Sequence, residues 1–427
     1  MKQNKLSRIV DAAFDEWAKT RFTNTSLNLI SGRLSISKQA LYRYFPNKAA
    51  IFEAMGHRLL SDLTEMTRTM EEGASQRHTA SADGPVADYV RALEAFLSAN
   101  PNYHVFLTMY VFRQEGPLQR EIHLAMIRQS DVLRAQLEPY CPTGIDRESW
   151  ENTLSQITVS ALLLCALRYW DMDGSRRRES AESLHAFTRR VVSALTDGLL
   201  PGLDTVMDPA TLLERFRILP SEMPPADRIL TAVETTVAVH GVELASLDRI
   251  AAAAGIAKST LYSHFTNKDD MFERMVLREQ SAFAALYRRK AQGVGSPGDR
   301  VCGYMITLAS YLIQNTALLS VFEWLRSQRF TVRLGDPRRF QFEEPLSFLC
   351  REMEGSAALG RGFDCGEVEA LVSAFVFWRI YSAKLVRRRA CTLDSIYGLF
   401  RMLVGGLSGV GDRPAESAST VKGVVLE

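Results

Sequence analysis

Residues 38–55 read KQALYRYFPNKAAIFEAM, and residues 258–275 read KSTLYSHFTNKDDMFERM. Displacing the chain by 220 positions lays one on the other without a gap. Across positions 36–55, ten of twenty residues are identical: Ile36, Lys38, Leu41, Tyr42, Phe45, Asn47, Lys48, Phe52, Glu53 and Met55. Unrelated stretches of ordinary composition would share roughly one or two. The register continues upstream, pairing Ile9 with Ile229, Ala12 with Ala232, Ser26-Leu27 with Ser246-Leu247 and Ile30 with Ile250. The chain is an internal duplication, and its organisation follows from that.

A chain of 427 residues exceeds one compact core and fits two to four domains. Hydrophobic residues at 46% and charged residues at 23% suit a soluble globular protein. A formal net charge of +2 announces no nucleic-acid partner, so any basic surface must be local. Six scattered cysteines without a C-x-x-C pair argue against a zinc site or a disulfide framework. The start MKQNKLSRIV leads into an amphipathic stretch rather than a signal-type apolar run. The most apolar stretch, residues 157–167, is far shorter than the ~20 residues of a spanning helix. A soluble, cytoplasmic protein with no membrane partner is expected.

Apolar residues recur at helical spacing, as in Ile9, Ala12, Ala13 and Val90, Leu93, Phe96, Leu97, and no strand-like alternation bounded by hairpin turns is present. The expected class is all-α. Each half opens with three short helices. The first covers residues 6–20 and 227–240. The second is N-capped by Ser26 or Ser246, and the third opens near Ser37 or Ala257. A link of about three residues joins second to third, which is the spacing of a helix-turn-helix. Such a pair places its second helix in a DNA major groove. Asn47 and Asn267 are expected N-caps of a fourth helix, putting Lys48 and Lys268 at its first position. Lysine there is mildly unfavourable to the helix dipole, but with the free N–H groups it makes a site suited to a DNA phosphate.

Together, SISKQALYRYFPNKAAIFEAM (35–55) and GIAKSTLYSHFTNKDDMFERM (255–275) resemble the DNA-binding signature of TetR/AcrR-type bacterial transcriptional regulators. The resemblance spans some 45 residues per half. It implies phosphate contacts from Thr25 or Ser26, Tyr42 and Lys48, and from Ser246, Tyr262 and Lys268. Lys38 and Lys258 would open the recognition helices. Gln39, Ala40, Arg43 and Tyr44, with Ser259, Thr260, Ser263 and His264, would face bases or adjacent phosphates. Members of this family carry one such domain and homodimerise, so the tandem arrangement implies a covalent pseudo-dimer. One departure stands in the first half, where Ser35 occupies the turn position that is Gly255 in the second. A serine at positive φ costs about 1 kcal/mol unless the turn relaxes.

The two readers differ in charge. Residues 1–55 hold nine basic and four acidic residues, net +5, and residues 226–275 hold five and seven, net −2. Phosphate attraction dominates non-specific affinity, so the first unit should bind more strongly. Gln39 and Arg43 can make bidentate base contacts, whereas Ser259 and Ser263 are short and permissive. An asymmetric or imperfectly palindromic operator is expected.

The expected division is 1–55 and 227–275 for the readers, 56–200 and 276–411 for helical ligand-binding and dimerisation domains, and 412–427 for a disordered tail. Residues 201–226, bracketed by Pro201, Pro209, Pro220, Pro224 and Pro225, read as a linker. The end of the first half, LTDGLLPGL (195–203), is echoed by LVGGLSGVG (403–411). The family resemblance implies a small-molecule pocket in each helical domain. Residues suited to it are Tyr103, His104, Phe106, Met109, Tyr110, Arg113, His123 and Trp170 in the first half. In the second they are Tyr304, Met305, Phe322, Trp324, Arg326, Phe377 and Tyr381. Aromatics at helical spacing are also ordinary core residues.

The functional expectation is a non-enzymatic regulator of transcription. It would be a repressor that binds double-stranded operator DNA as a monomeric pseudo-dimer and is released by a small-molecule effector. No H-E-x-x-H, Walker or G-x-S-x-G motif is present, and neither cofactor nor metal is expected. Two alternatives stand beside it. In one, only the first helix-turn-helix binds DNA and two chains homodimerise. In the other, the chain is a helical ligand-binding or scaffold protein without DNA binding.

Overall fold

The computed structural model describes residues 2–24, 26–75, 83–100, 102–103, 106–107, 116–141, 147–170, 184–225, 228–315, 318, 363, 368, 371–377, 379–380 and 393–407. Among the described residues every regular element is helical, as the periodicity requires. The chain divides into two compact units, Met1–Val192 and Ser193–Glu427.

In the first unit, α1 (Lys2–Asn24), α2 (Leu27–Arg33) and α3 (Lys38–Tyr42) form a tri-helical head. Helix α4 (Lys48–Ser75) packs along α6 (Pro117–Leu137), while α5 (Asp83–Ala99) lies against α4, α6 and α7 (Arg147–Trp170). Helix α8 (Leu184–Thr196) crosses the division between units. Helix α4 runs without interruption through the expected boundary at residue 55, so head and helical body share a rigid element. The joint between them is aromatic. Phe14 of α1 meets Tyr103 and Phe106 edge-on at centroid distances of 5.1 and 5.2 Å, and Tyr103 also packs on Phe96 at 4.9 Å.

The second unit repeats the head as α10 (Arg228–Leu244), α11 (Leu247–Ala254) and α12 (Lys258–His264), followed by α13 (Lys268–Ala291) and α14 (Pro297–Gln314). Helix α15 (Leu393–Gly405) packs on α14. No described helix is long and apolar enough to cross a membrane.

The expected linker is part of the second unit. Residues 209–216 form helix α9, whose Leu212, Leu213 and Phe216 are buried against α13, α14 and α15. The ring of Phe216 lies where any side chain on Gly303 would be, since a Cβ there would sit 2.4 Å from it. Thr307 Oγ1 donates to Phe216 O (3.1 Å), and the Ser310 hydroxyl both donates to Ile218 O (3.2 Å) and accepts Ile218 N–H (2.9 Å). Buried Asp299 accepts the N–H groups of Val206 (2.9 Å) and Met207 (3.1 Å). Pro209 opens α9 behind its N-cap Asp208, and Pro220 follows four residues after its last residue, Phe216. Between them an apolar face at i, i+1, i+4 spacing outweighs the linker-like composition.

The strap covers a stripe of α14 whose counterpart on α5 is partly exposed. Tyr89, Leu93 and Leu97 of α5 match Tyr304, Leu308 and Leu312 of α14, 215 positions on, and all six are buried. On the opposite face, α5 leaves Ala95 and Ala99 exposed. The same stripe of α14 carries Gly303, Thr307, Ser310 and Gln314, all engaged by the strap.

The echoed segments meet. Leu200 N–H donates to Leu403 O (2.7 Å) and Leu407 N–H to Leu195 O (3.1 Å). Gly198 and Gly406, 208 positions apart, both have positive φ, 91° and 59°. A Cβ on Gly198 would lie 2.1 Å from Val404 O, and one on Gly406 would lie 2.4 Å from Thr196 O. Val404 is also 208 positions after Thr196, so the crossing is two-fold in pattern, with each element offering the other the same contact.

Candidate nucleic-acid interface

Each recognition helix is fixed by local chemistry. Ser26 Oγ accepts Leu29 N–H (3.2 Å) and Ser246 Oγ accepts Arg249 N–H (3.3 Å), so both second helices start where expected. The turn that follows is the same in both halves. Ile36 N–H bonds Ser31 O, and Ile256 N–H bonds Ala251 O, each at 3.0 Å. Ser35 adopts φ 52° beside Gly255 at 63° and is the one non-glycine residue with positive φ among those described. The first turn therefore does not relax; serine accepts the left-handed conformation. Ser37 Oγ then caps α3 through Ala40 N–H (3.1 Å), whereas Ala257 gives α12 no side-chain cap. Asn47 and Asn267 cap the fourth helices through Ala50 N–H (2.9 Å) and Asp270 N–H (2.8 Å).

On this scaffold Leu41 and Leu261 are the buried anchors of α3 and α12. Lys38, Gln39, Tyr42 and Arg43 are exposed together, as are Lys258, Ser259, Thr260, Tyr262, Ser263 and His264. Ala40 and Tyr44 are half-buried. Tyr42 and Tyr262 are 45% and 47% exposed, large for aromatic side chains, so neither belongs to the core. Lysine stacks over tyrosine in both readers, with Lys38 Nζ 5.8 Å from the Tyr42 ring centroid and Lys258 Nζ 5.6 Å from that of Tyr262. The Ser263 hydroxyl is turned back onto Thr260 O (2.8 Å). Lys48 is half-buried over the Phe52 ring (5.7 Å). Lys268 opens α13, as expected. Thr25 lies outside the described residues, as does the Lys268 side chain.

The second reader carries two contacts that composition did not reveal. Lys258 Nζ lies 2.6 Å from Asp248 Oδ2, and this bond, opposed by slight desolvation, raises the lysine pKa. Asp270 accepts Thr266 N–H (2.8 Å) and Arg274 Nε–H (2.8 Å), which together hold its carboxyl below the usual range. Charge counting pointed to the acidic character of this head but not to the partners.

The residues suggested for a ligand pocket separate into groups. Tyr103 and Phe106 are buried in the joint between head and body, and the Tyr103 hydroxyl donates to Asp62. Asp62 also accepts Arg58 Nε–H (3.3 Å), whose guanidinium reaches Ser7 of the head (3.0 Å). Tyr304 and Met305 are fully buried on α14, where Tyr304 packs edge-on against Phe283 and Tyr287 and pairs with Ser373 Oγ (3.0 Å). Phe377 is half-buried. His123 and Trp170 fall within α6 and α7, their side chains outside the description. His104, Met109, Tyr110, Arg113, Phe322, Trp324, Arg326 and Tyr381 lie outside the described residues. Burial also pushes the Cys302 thiol up, which makes it unreactive.

Two exposed, duplicated helix-turn-helix heads define a DNA-binding class of protein. Residues 9–55 and 229–275 both match the family model described as bacterial regulatory proteins, tetR family. The HTH-type transcriptional regulator UidR of Escherichia coli (strain K12) and that of Shigella flexneri are each 30% identical over 71 residues. The match covers 17% of this chain and 36% of each of those proteins, so the chain spans about a third of the length of the curated relatives it matches. The chain carries the DNA-binding domain of tetR-family regulators twice, in tandem.

Proposed function

We propose that this chain is a transcriptional repressor that binds operator DNA as a single-chain pseudo-dimer, with each half supplying one recognition helix. The observation that supports the pairing most is the two-fold crossing at Gly198 and Gly406, where the ends of the two halves clasp each other. A homodimer brings two heads together through self-complementary contacts. Here one polypeptide provides both sides of such a contact. The equivalent display of Lys38 with Tyr42 and of Lys258 with Tyr262 supports DNA contact by both heads.

A small-molecule effector held in the helical bodies would act through the joints. In the first unit, Tyr103 touches α1 through Phe14 and α4 through Asp62, so displacing it would tilt the head. The chain works by binding rather than by catalysis. Selection of genomic fragments by the full chain, followed by footprinting, tests the reading. The expected footprint has two major-groove patches about 10 base pairs apart, with unequal sensitivity to base changes. A single patch, or no protected fragment, would oppose it.

A further inference from the structure

In the shared register the second head carries aspartates where the first has uncharged residues. Asp248 stands where the first head has Asn28, and Asp270 where it has Ala50. Asp248 lies two residues after Ser246, and Asp270 two residues after Lys268, both expected phosphate-contacting residues. Asp248 meets the lysine that opens the recognition helix (2.6 Å). Asp270 takes the Thr266 N–H just ahead of the N-cap Asn267 (2.8 Å), and its other oxygen holds Arg274 (2.8 Å). In the first head Lys38 forms no ion pair among the described residues, and Ala50 brings no carboxylate to the start of α4.

We propose that Asp248 and Asp270 are built-in phosphate mimics that lower the second head's affinity for DNA. This rests on the reading that both heads contact the duplex. A lysine already neutralised by a carboxylate releases no counterion when it meets a phosphate, so Lys258 contributes little to the salt-dependent part of binding. The pair is open to solvent, with Lys258 59% and Asp248 54% exposed at the side chain, so it can exchange for DNA rather than being locked. Asp270 is less exposed and is held by three hydrogen bonds, two of them from Thr266. The first head would engage DNA first and the second would add selectivity with little affinity. Two basic heads on one chain would instead bind any duplex tightly; the mimics prevent that.

Binding of the full chain to a mixed-sequence duplex of about 30 base pairs, titrated between roughly 50 and 200 mM salt, tests this. Removing one mimic frees one phosphate contact, worth a log–log salt slope of about 0.9 and so roughly an eightfold gain in affinity near 0.1 M. Asp248→Asn is expected to show that gain and that steeper slope, and Asp270→Ala a smaller change of the same sign. The reciprocal Asn28→Asp should weaken binding and flatten the slope. All three replacements install a residue that the other head already tolerates. If Lys48→Ala weakens binding while Asp248→Asn, Asp270→Ala and Asn28→Asp leave affinity and slope at wild-type values, the mimicry is wrong and the DNA-binding reading stands. If wild-type binding is salt-independent and indifferent to Lys48→Ala, the DNA-binding reading itself falls and the mimicry with it.

Discussion

Gly198 and Gly406 hold equivalent places on either side of one backbone crossing, each facing a carbonyl two residues from the other. Both have positive φ, and both approach backbone rather than side chain, so neither neighbour can yield by changing rotamer. Alanine at either position should cost about 1 kcal/mol for the left-handed conformation and about 1–3 kcal/mol for the overlap. The prediction is near-equal destabilisation by Gly198→Ala and Gly406→Ala in urea denaturation. A large effect at one glycine and none at the other would mean that the crossing is not two-fold in energy.

The strap makes a second prediction. Phe216→Ala should destabilise the second unit by about 3–5 kcal/mol, as expected for a buried aromatic. Gly303→Ala should cost about 1–3 kcal/mol by overpacking against the same ring. Combined, the two should cost clearly less than their sum, because the alanine methyl enters space the ring has vacated. Additive losses would show that Phe216 and Gly303 do not share that space.

Much of this architecture was legible in the sequence, for a physical reason. The heads are specified by contacts within a few residues: Ser26 with Leu29, Asn47 with Ala50, a left-handed turn at Ser35 or Gly255. Such local chemistry repeats in both halves and is read directly. The strap was misread because Phe216, Ile218 and their partners Gly303 and Ser310 lie about 90 residues apart, and proline content spoke louder than the short apolar face of α9. The Lys258–Asp248 pair spans two helices and a turn, beyond any helical periodicity. Aromatic spacing could not separate joint from pocket, and Tyr103 belongs to the joint.

The strap is also tied down by Glu222, which accepts Leu219 N–H (2.7 Å) and Lys290 Nζ (2.8 Å). Partial burial alone would raise its carboxyl, but the Leu219 N–H and Lys290 outweigh this and hold it below the ordinary 4.5. A lowered folded-state pKa gives stability that is full above the unfolded value and lost as pH falls through the folded one. The stability gap between wild type and Glu222→Gln should therefore be constant near neutrality and close below about pH 4. A gap unchanged down to about pH 3 would show that the carboxylate charge is not what ties the strap.

Ser35 carries a balanced cost. Relieving its positive φ with glycine should gain about 1 kcal/mol, while glycine's freedom in the unfolded chain takes back about 0.4–1 kcal/mol. Ser35→Gly is expected to shift stability by less than about 0.6 kcal/mol. The converse, Gly255→Ser, reverses both terms, so they again nearly cancel, but it also crowds Arg228, whose guanidinium would lie 2.9 Å from the new Cβ and donates to Gly255 O (3.4 Å). That variant should be the less stable by a measurable margin in thermal melts.

The central claim is that one chain supplies both heads to one operator. Mass measurement of the full chain on its footprinted duplex, by native mass spectrometry or sedimentation, tests it most directly. The account predicts one chain per duplex at saturation, and a monomer without DNA at the same concentration. Two chains per duplex, with a dimer persisting in the absence of DNA, would contradict it.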